Sequence, residues 1–306
     1  MKVNLSAAEF KAGGRPVCAA IGVFDGVHLG HQEVLRRTIS DAEQSGALSV
    51  VVTFDCHPNA VVAPAHVPPL IYPLWKKVEV LGAMNLDAAS IIHFDKAFSQ
   101  IEGKQFILAL ATIFGKIQAI SVGANFEFGH RRSGNVDLLK ALGGKLGFAV
   151  NALDDVDLNG EPVSSTRIRD AVRAGDFPSA SAMLGRPYGL CGTVVEGEHL
   201  GRKLGFPTAN LNIDGILTPP SGVYAADAGI GGEKRRAAVN IGHRPTVHSQ
   251  DPKIHVEAHL LDFNGEIVGQ NLELVFLKKL RDEQKFPSLE SLGAQIAKDI
   301  EQARGL

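Results

Sequence analysis

The sequence predicts two unlike domains, an α/β domain with a parallel sheet followed by an antiparallel β-barrel that ends in a helix. Apolar strands alternate with helical segments up to about residue 185, which is typical of a parallel sheet covered on both faces. Short strands separated by glycine, proline and asparagine follow from about residue 190. A helical period returns at 288–303. We therefore expect domains at 1–185 and 186–306.

In the first half, the apolar run 17–24 predicts a buried strand that ends at the turn signal Asp25-Gly26. A helix is expected from Leu29 to Ser45, because apolar residues recur on one face and Gly46 is a favoured C-terminal cap. Ligands of such sheets bind at the carboxyl ends of the strands. The later elements are expected as a strand at 48–54, a strand at Ile91–Phe94, a helix at 102–114, a strand at 117–123, a helix at 135–146 and a strand at 148–153.

In the second half, Gly185–Gly189 marks the expected domain boundary. Ser288 is the expected N-cap of the terminal helix. The barrel strands are predicted at 190–196, 222–229, 235–241, 254–261 and 272–277.

Composition narrows the class of protein. The 306-residue chain is long enough for two hydrophobic cores. A formal net charge of −2 argues against a dedicated nucleic-acid-binding protein. The three cysteines are widely spaced, so buried free thiols are favoured over a disulfide framework or a zinc site. Since no signal-type stretch and no run of about 18 apolar residues occurs, we expect a cytoplasmic protein without a membrane span.

The first motif is the segment 22–31 (GVFDGVHLGH), which places His28 and His31 where a strand meets a helix. Free N–H groups at the helix start favour anions, and glycines at 26 and 30 let a bulky anion approach. This pattern favours imidazoles that donate hydrogen bonds to a triphosphate. Two alternatives stay open: incidental histidines in a surface turn, or a metal site that lacks an obvious third ligand.

A second segment, 163–169 (VSSTRIR), has hydroxyls in front of a predicted helix, and helix capping alone explains them. Arg167 and Arg169, however, lie near the positive end of that helix, where cations are unfavourable unless an anion is bound. The arginines therefore favour an anion-binding role.

The segment 192–211 (GTVVEGEHLGRKLGFPTANL) contains three glycines spaced for a close-approach loop, followed by Arg202 and Lys203 as cations for phosphate. Thr208 and Asn210 offer hard oxygen ligands of the kind that Mg²⁺ prefers. The order of residues differs from that of a P-loop.

Glu257 is the one acidic residue in the predicted strand 254–261. A solvent-facing position would explain it, and a role as a catalytic base is the alternative.

The first half resembles the nucleotidylyltransferase superfamily through G-x-F-D-G-V-H-x-G-H and S-S-T-x-I-R. The segments 53–58 (TFDCHP) and 122–129 (VGANFEFG) are similar to the FMN adenylyltransferase module of bacterial bifunctional riboflavin kinase/FAD synthetases, which usually have proline at the position of Cys56. The resemblance implies a Rossmann-like domain with a flavin site at Asn125, Asp55 and His57. It also implies that ATP and its phosphates bind at Gly22, Phe24, Asp25, Gly26, His28, Gly30, His31, Ser165, Thr166 and Arg169.

The second half resembles the riboflavin kinase module of the same family through G-R-x-L-G-F-P-T-A-N-L, the segments 222–224, 240–242 and 256–263, and the run 281–286. Many relatives have arginine where Leu200 stands. The resemblance implies that Thr208 and Asn210 coordinate Mg·ATP and that Glu257 is the catalytic base. The implied ATP-binding residues are Gly201, Arg202, Gly205, Pro207, Thr208 and Asn210.

Together the resemblances imply two reactions, riboflavin + ATP → FMN + ADP and FMN + ATP → FAD + pyrophosphate. The expected partners are the small molecules riboflavin, FMN and ATP with Mg²⁺, with no nucleic acid or membrane, and the expected state is a monomer or transient homo-oligomer. Two rival hypotheses are a nucleotidylyltransferase for another phosphate monoester and a non-catalytic flavin-binding protein.

Overall fold

A computed structural model of the chain describes residues 1–4, 12–197, 201, 204–244 and 253–306. Two compact units are found, the first formed by Met1–Leu70 and Leu74–Ser165 and the second by Ile71–Pro73 and Thr166–Leu306. The domain boundary at residue 185 stays a prediction.

The first unit is built on a six-stranded sheet in which every neighbouring pair is parallel. The spatial order is β1-β4-β3-β2-β5-β6, so the direction of strand addition reverses between β2 and β5. Ligands of open α/β sheets bind at such a reversal. The strands are β1 (Lys2–Asn4), β2 (Val17–Ile21), β3 (Leu48–Phe54), β4 (Ala88–Ile92), β5 (Ile117–Gly123) and β6 (Ala149–Leu153), followed by a small hairpin of β7 (Asp157–Leu158) and β8 (Glu161–Pro162).

Helices cover both faces of this sheet, as predicted. Alternate residues of β2 point to opposite faces: Ala19 packs in one cluster with Ile107 and Leu139, and Ala20 packs in another with Leu35. The α-helices in the described part of the chain are α1 (Leu29–Ser45), α2 (Asn59–Val62), α3 (Leu74–Gly82), α4 (Gly103–Phe114), α5 (Val136–Leu146), α6 (Ser165–Ala174), α7 (Phe177–Leu184) and α8 (Leu289–Arg304).

The second unit contains a closed six-stranded antiparallel barrel with the order β10-β13-β12-β11-β14-β9. The predicted terminal helix is α8, and the side chain of Ser288 caps it by accepting a hydrogen bond from the Ser291 amide. The barrel strands are β9 (Gly189–Val195), β10 (Ala209–Asn212), β11 (Gly222–Ile230), β12 (Glu233–Arg244), β13 (Lys253–Leu260) and β14 (Asn271–Arg281).

Several elements differ from the sequence prediction. The strand expected at Ile91–Phe94 lies at Ala88–Ile92, because its pairing with β3 and β1 selects that register. Strand β10 was not predicted, and neither were β1, β7, β8, α2, α3 and α7.

The three cysteines are free thiols, of which Cys18 and Cys191 are buried and Cys56 is partly exposed. Within the described ranges, no helix combines the length and apolar character needed to span a bilayer.

Candidate active sites

The loop between β2 and α1 begins at the strand reversal of the first sheet. Phe24 and Val27 have positive φ angles of 52° and 42°, which residues other than glycine rarely adopt. Each such residue costs about 1–3 kcal/mol unless the surroundings hold it. Such strained backbone is a frequent feature of binding sites, so it supports the predicted role of this loop.

The structure brings His28 and His31 together, as the motif predicts. His28 is the N-cap of α1 and only 7% exposed, and its Nδ1 accepts a hydrogen bond from the His31 amide at 3.4 Å. The two imidazoles stack with ring centroids 3.6 Å apart. The rings of Phe24 and His31 pack in a T-shaped arrangement, with their centroids 5.2 Å apart. At position 30 a Cβ atom would lie 3.3 Å from the His28 ring, which explains the glycine there.

Side chains from four elements hold the backbone carbonyls of this loop. The carbonyl of Asp25 accepts a hydrogen bond from the Ser165 hydroxyl at 3.1 Å, and that of Val27 accepts one from the Gln32 amide at 3.0 Å. The carbonyl of Val23 accepts from Thr53 Oγ1 of β3 at 3.0 Å and from a lysine of α3 at 3.2 Å. These contacts fix the strained loop from several sides.

Ser165, one of the residues predicted to hold phosphate, contacts the backbone of the loop between β2 and α1. Its binding of phosphate stays a prediction. Thr166 and Arg169 lie in α6 and belong to the second unit. Arg169 is buried. Their predicted contact with ATP likewise stays a prediction.

The predicted flavin residues Asp55 and His57 follow β3. Asp55 accepts hydrogen bonds from His93 Nδ1 at 2.5 Å and from the Phe94 amide at 3.0 Å. Partial burial opposes ionisation of Asp55, but these two hydrogen bonds outweigh it and leave its pKa below the ordinary value. His57 Nδ1 accepts a hydrogen bond from the Asn59 amide.

An aromatic cavity of about 600 Å³ opens beside these segments in the first unit. Asn125, the third predicted flavin residue, is exposed in the turn after β5, directly before the cavity-lining Phe126. The basic side chains of Lys96, His130, Arg131 and Arg132 and the acidic side chain of Glu127 also line the cavity. The aromatic lining consists of Phe54, Phe94, Phe98, Phe106, Phe126 and Phe128.

In the barrel, Glu257 lies beside the residues that the motif associates with it. On β13 it is the register partner of Asn210 on β10 and of Asn240 on β12. Its Oε2 accepts a hydrogen bond from Thr208 Oγ1 at 3.5 Å. Glu257 is half-buried and lines a cavity, which supports a site role over a purely solvent-facing position.

Two cavities meet at Thr208 and Asn210. The first, about 340 Å³, is lined by both residues and by Glu257, with apolar residues such as Phe286 and Ile296. The second, about 570 Å³ and more polar, is lined by Thr208 and Asn210 and by the segment 263–268. Thr208 and Asn210 therefore belong to the lining of both cavities, and we call this pair the shared wall.

Glycines make room for this wall. A Cβ atom at Gly197 would clash with the Asn210 carboxamide, and one at Gly201 would clash with the Phe206 carbonyl. Gly205 has a φ of 86°, which few other residues adopt. The carbonyl of the predicted Pro207 accepts a hydrogen bond from His259 at 2.8 Å.

Other predicted residues of the second motif lie outside the described ranges, namely Leu200, Arg202 and Lys203.

A buried ion pair near the first barrel cavity was not predicted. Arg281 contacts Asp299 of α8 through two nitrogens at 2.8–3.1 Å, and Asp299 is 3% exposed. Both residues line the cavity. The sequence signal was the aspartate on the apolar stripe of α8, one residue before Ile300.

No three histidine, cysteine or acidic side chains are placed to share a metal ion within the described part of the chain. The described side chains therefore give no support to the alternative that His28 and His31 form a metal site.

Comparisons with known proteins agree with this two-part arrangement. Residues 11–167 match the family model for FAD synthetase, and residues 184–306 match that for riboflavin kinase. The chain is 38% identical to the bifunctional riboflavin kinase/FMN adenylyltransferase of Pseudomonas fluorescens, covering 95% of this chain and 93% of that one. It is 36% identical to the Bacillus subtilis protein of the same name, covering 93% and 90%. A crystal structure described as a macrolide-efflux protein from Streptococcus pneumoniae has a TM-score of 0.80 at 28% identity, covering 99% of this chain and 98% of that one.

Proposed function

The chain belongs to the bifunctional riboflavin kinase/FMN adenylyltransferase family, and from that premise we propose how its two units carry out the two reactions. The protein phosphorylates riboflavin to FMN with ATP and adenylylates FMN to FAD with a second ATP, releasing pyrophosphate. The kinase reaction belongs to the barrel and the adenylyl transfer to the α/β unit, in line with the residues that each family model matches.

The shared wall in the barrel is the observation that carries the kinase assignment. Riboflavin occupies the more apolar cavity beside Glu257, and ATP occupies the polar cavity on the other side. The ribityl 5′-hydroxyl and the γ-phosphate then meet at Thr208 and Asn210. Phosphoryl transfer depends mainly on such positioning and on charge stabilisation.

Glu257 is the base of the kinase reaction. As the 5′-oxygen attacks the γ-phosphorus, the bond from that phosphorus to the β,γ-bridging oxygen breaks and ADP leaves. The hydroxyl proton passes to the Glu257 carboxylate, which is half-buried at the wall. The amide of Asn210 is neutral and cannot serve as a base. Among Thr208, Asn210 and Glu257, the proton acceptor is therefore Glu257.

Thr208 and Asn210 fit a magnesium ion. Both offer uncharged hard oxygens beside a carboxylate, and Mg²⁺ usually combines one or two protein ligands with substrate phosphates and water. A site without three acidic ligands therefore suits it. When bound there with ATP, the ion would neutralise negative charge on the transferred phosphoryl group.

Adenylyl transfer uses the histidine pair and the aromatic cavity. The isoalloxazine ring of FMN packs among the phenylalanines, near Asn125 and Asp55. An FMN phosphate oxygen attacks the α-phosphorus of ATP, and pyrophosphate leaves. Because a phosphate monoester is largely ionised at neutral pH, no strong base is needed. His28 and His31 donate hydrogen bonds to phosphate oxygens at the positive end of α1.

We further propose a cytoplasmic location, supported by the three free thiols, since reduced cysteines are typical of that compartment. The expectation of a monomer or transient homo-oligomer, and of no nucleic-acid partner, stays a prediction.

A single incubation tests the division of labour. Protein with riboflavin, ATP and Mg²⁺ is sampled over time, and the flavins are separated by chromatography. FMN followed by FAD is the expected result. A nucleotidylyltransferase for another substrate would yield neither product, and a non-catalytic flavin-binding protein would return unchanged riboflavin.

A further inference from the structure

Lys77 is a buried lysine that neither reaction, as described above, requires. It lies on α3 and is 7% exposed. Its Nζ donates to the Phe54 carbonyl at 2.7 Å, to the Val23 carbonyl at 3.2 Å and to Thr53 Oγ1 at 3.2 Å. An ammonium group has three donors, so these three acceptors satisfy it fully.

The three acceptors belong to two substrate-binding segments. Val23 begins the strained loop that leads to His28, and Phe54 ends β3 directly before Asp55. Val23 and Phe54 also line the aromatic cavity. One ammonium therefore joins the carboxyl ends of the neighbouring strands β2 and β3, at the point where the nucleotide loop and the flavin loop begin.

Burial of this cation has a desolvation cost even though its three donors are satisfied. Desolvation lowers the pKa of Lys77 to about 8, although the carboxylates of Asp25 and Asp55 act in the opposite direction. An apolar residue would fill the same space without that cost. The retained charge indicates that the contacts of the ammonium matter more than its packing.

We propose that Lys77 is a positioning residue for FMN adenylylation, holding the start of the nucleotide loop against the end of β3 so that the FMN phosphate meets the α-phosphorus of ATP in line. The inference rests on the proposed adenylyl-transfer site. A displacement of about 1 Å between reacting groups can cost about a hundredfold in rate. Loss of the ammonium removes one hydrogen bond from each carbonyl, and the loop at Phe24 and Val27 then loses one of its supports.

The first test is Lys77→Met, which keeps the length of the side chain and removes its donors. We expect kcat for FAD formation from FMN to fall about 10- to 100-fold, with a smaller change in KM for FMN. Riboflavin kinase activity of the same protein should stay within about twofold, because its residues lie in the other unit. Lys140→Met, which removes an exposed lysine of α5, is the matched control and should leave both activities unchanged. Full FAD synthesis in Lys77→Met would overturn the proposal.

The second test separates positioning from packing. Thr53→Val removes one acceptor of the ammonium and also the hydrogen bond from Thr53 to the Val23 carbonyl, with little change in shape. We therefore expect a several-fold lower kcat for FAD formation. If Lys77 acts by holding that same carbonyl, the loss in the double variant is smaller than the two single losses combined, whereas fully additive losses would show that the two residues act independently and would refute the inference. Should Lys77→Met fail to fold, Thr53→Val alone decides, and an unchanged kcat counts against the proposal.

His28→Ala, assayed in parallel, distinguishes this inference from the proposed function. If His28→Ala loses FAD synthesis while Lys77→Met retains it, only the role of Lys77 is wrong. If His28→Ala retains FAD synthesis, the proposed site itself is wrong, and the inference falls with it.

Discussion

Asn210 and Glu257 are register partners on β10 and β13, two neighbouring antiparallel strands of the barrel. Directly opposed residues in such a pair project from the same face of the sheet. A carboxamide and a carboxylate thus lie side by side, with Thr208 in contact with the carboxylate. On the proposed function the arrangement separates two tasks: the neutral pair would bind the nucleotide and the ion, and the charged group would take the proton.

Replacement of Glu257 by Gln tests this separation. The amide keeps the shape but cannot accept the hydroxyl proton, so riboflavin phosphorylation should fall by about 10²- to 10⁴-fold. FAD synthesis from supplied FMN should continue at the wild-type rate. Chromatography of the flavins after separate incubations with riboflavin and with FMN measures both. Wild-type FMN formation by the variant would exclude Glu257 as the base.

His28→Ala and His31→Ala should have the opposite effect. Loss of one donor to the phosphates is expected to slow FAD formation by about 10²- to 10³-fold while FMN formation from riboflavin persists. His66→Ala, at an exposed histidine of the same unit, serves as the control and should be neutral. Loss of both reactions in a folded histidine variant would contradict the two-site arrangement.

Gly197→Ala should impair the kinase through Asn210. The added methyl group occupies space that the Asn210 carboxamide fills, so the side chain must leave the shared wall. We expect a raised KM for ATP and a lower kcat for riboflavin phosphorylation, with adenylyl transfer unaffected. Gly229→Ala, where the nearest atom to the new methyl lies at 3.9 Å, is the control within the barrel. Equal kinetics for the two variants would refute the predicted displacement.

Two adjacent glycines of α5 should respond oppositely to alanine. At Gly144 the methyl group meets nothing within 4 Å, so Gly144→Ala should stabilise the helix by about 0.5–1 kcal/mol. At Gly143 it would lie 2.6 Å from the Phe148 carbonyl, so Gly143→Ala should destabilise by about 1–3 kcal/mol. Urea denaturation of both variants gives the free energies of unfolding. An increase in the free energy of unfolding for Gly143→Ala would contradict the prediction, because it would show that the backbone near Phe148 moves to accept the methyl group at little cost.

Alkaline pH should weaken the second unit through Tyr72. Burial raises the pKa of its hydroxyl to about 12, although the nearby Arg186 guanidinium acts to lower it. Between pH 10 and 12 the folded state therefore holds a proton that the unfolded state has lost, so stability present below pH 10 declines as the pH rises.

Tyr72→Phe lacks this group and provides the comparison. The difference in unfolding free energy between wild type and variant should fall by up to about 1.4 kcal/mol for each pH unit above 10. Urea denaturation at a series of alkaline pH values measures the difference. A difference that does not change with pH would contradict the raised pKa.

Much of the fold could be predicted because its signals are local. Helix α1 lies at Leu29–Ser45 as expected, since an apolar face and the glycine cap define it within one segment. Strand β10 has no such signal, because P-T-A-N-L is short, lacks alternation and follows a glycine-rich stretch. It is a strand because it pairs with both β9 and β13, and that pairing depends on the whole barrel.

The same distinction applies to the sites. The histidine pair was predictable since its two members are three residues apart on one helix end, and the Thr208–Asn210 motif is equally short. Lys77 was missed because its partners lie more than 20 residues away. A signal did exist, since Leu74, Lys77 and Leu81 share the helical spacing of an apolar face and the lysine interrupts it.

Strand β10 joins β9 on one side and β13 on the other, and it carries Asn210. The barrel therefore closes through a strand that carries a residue of the proposed phosphotransfer site. We therefore expect barrel closure and formation of the proposed kinase site to be a single event. A chain in which β10 does not pair with β9 and β13 should lack kinase activity. It would also expose two unpaired strand edges, which promote aggregation.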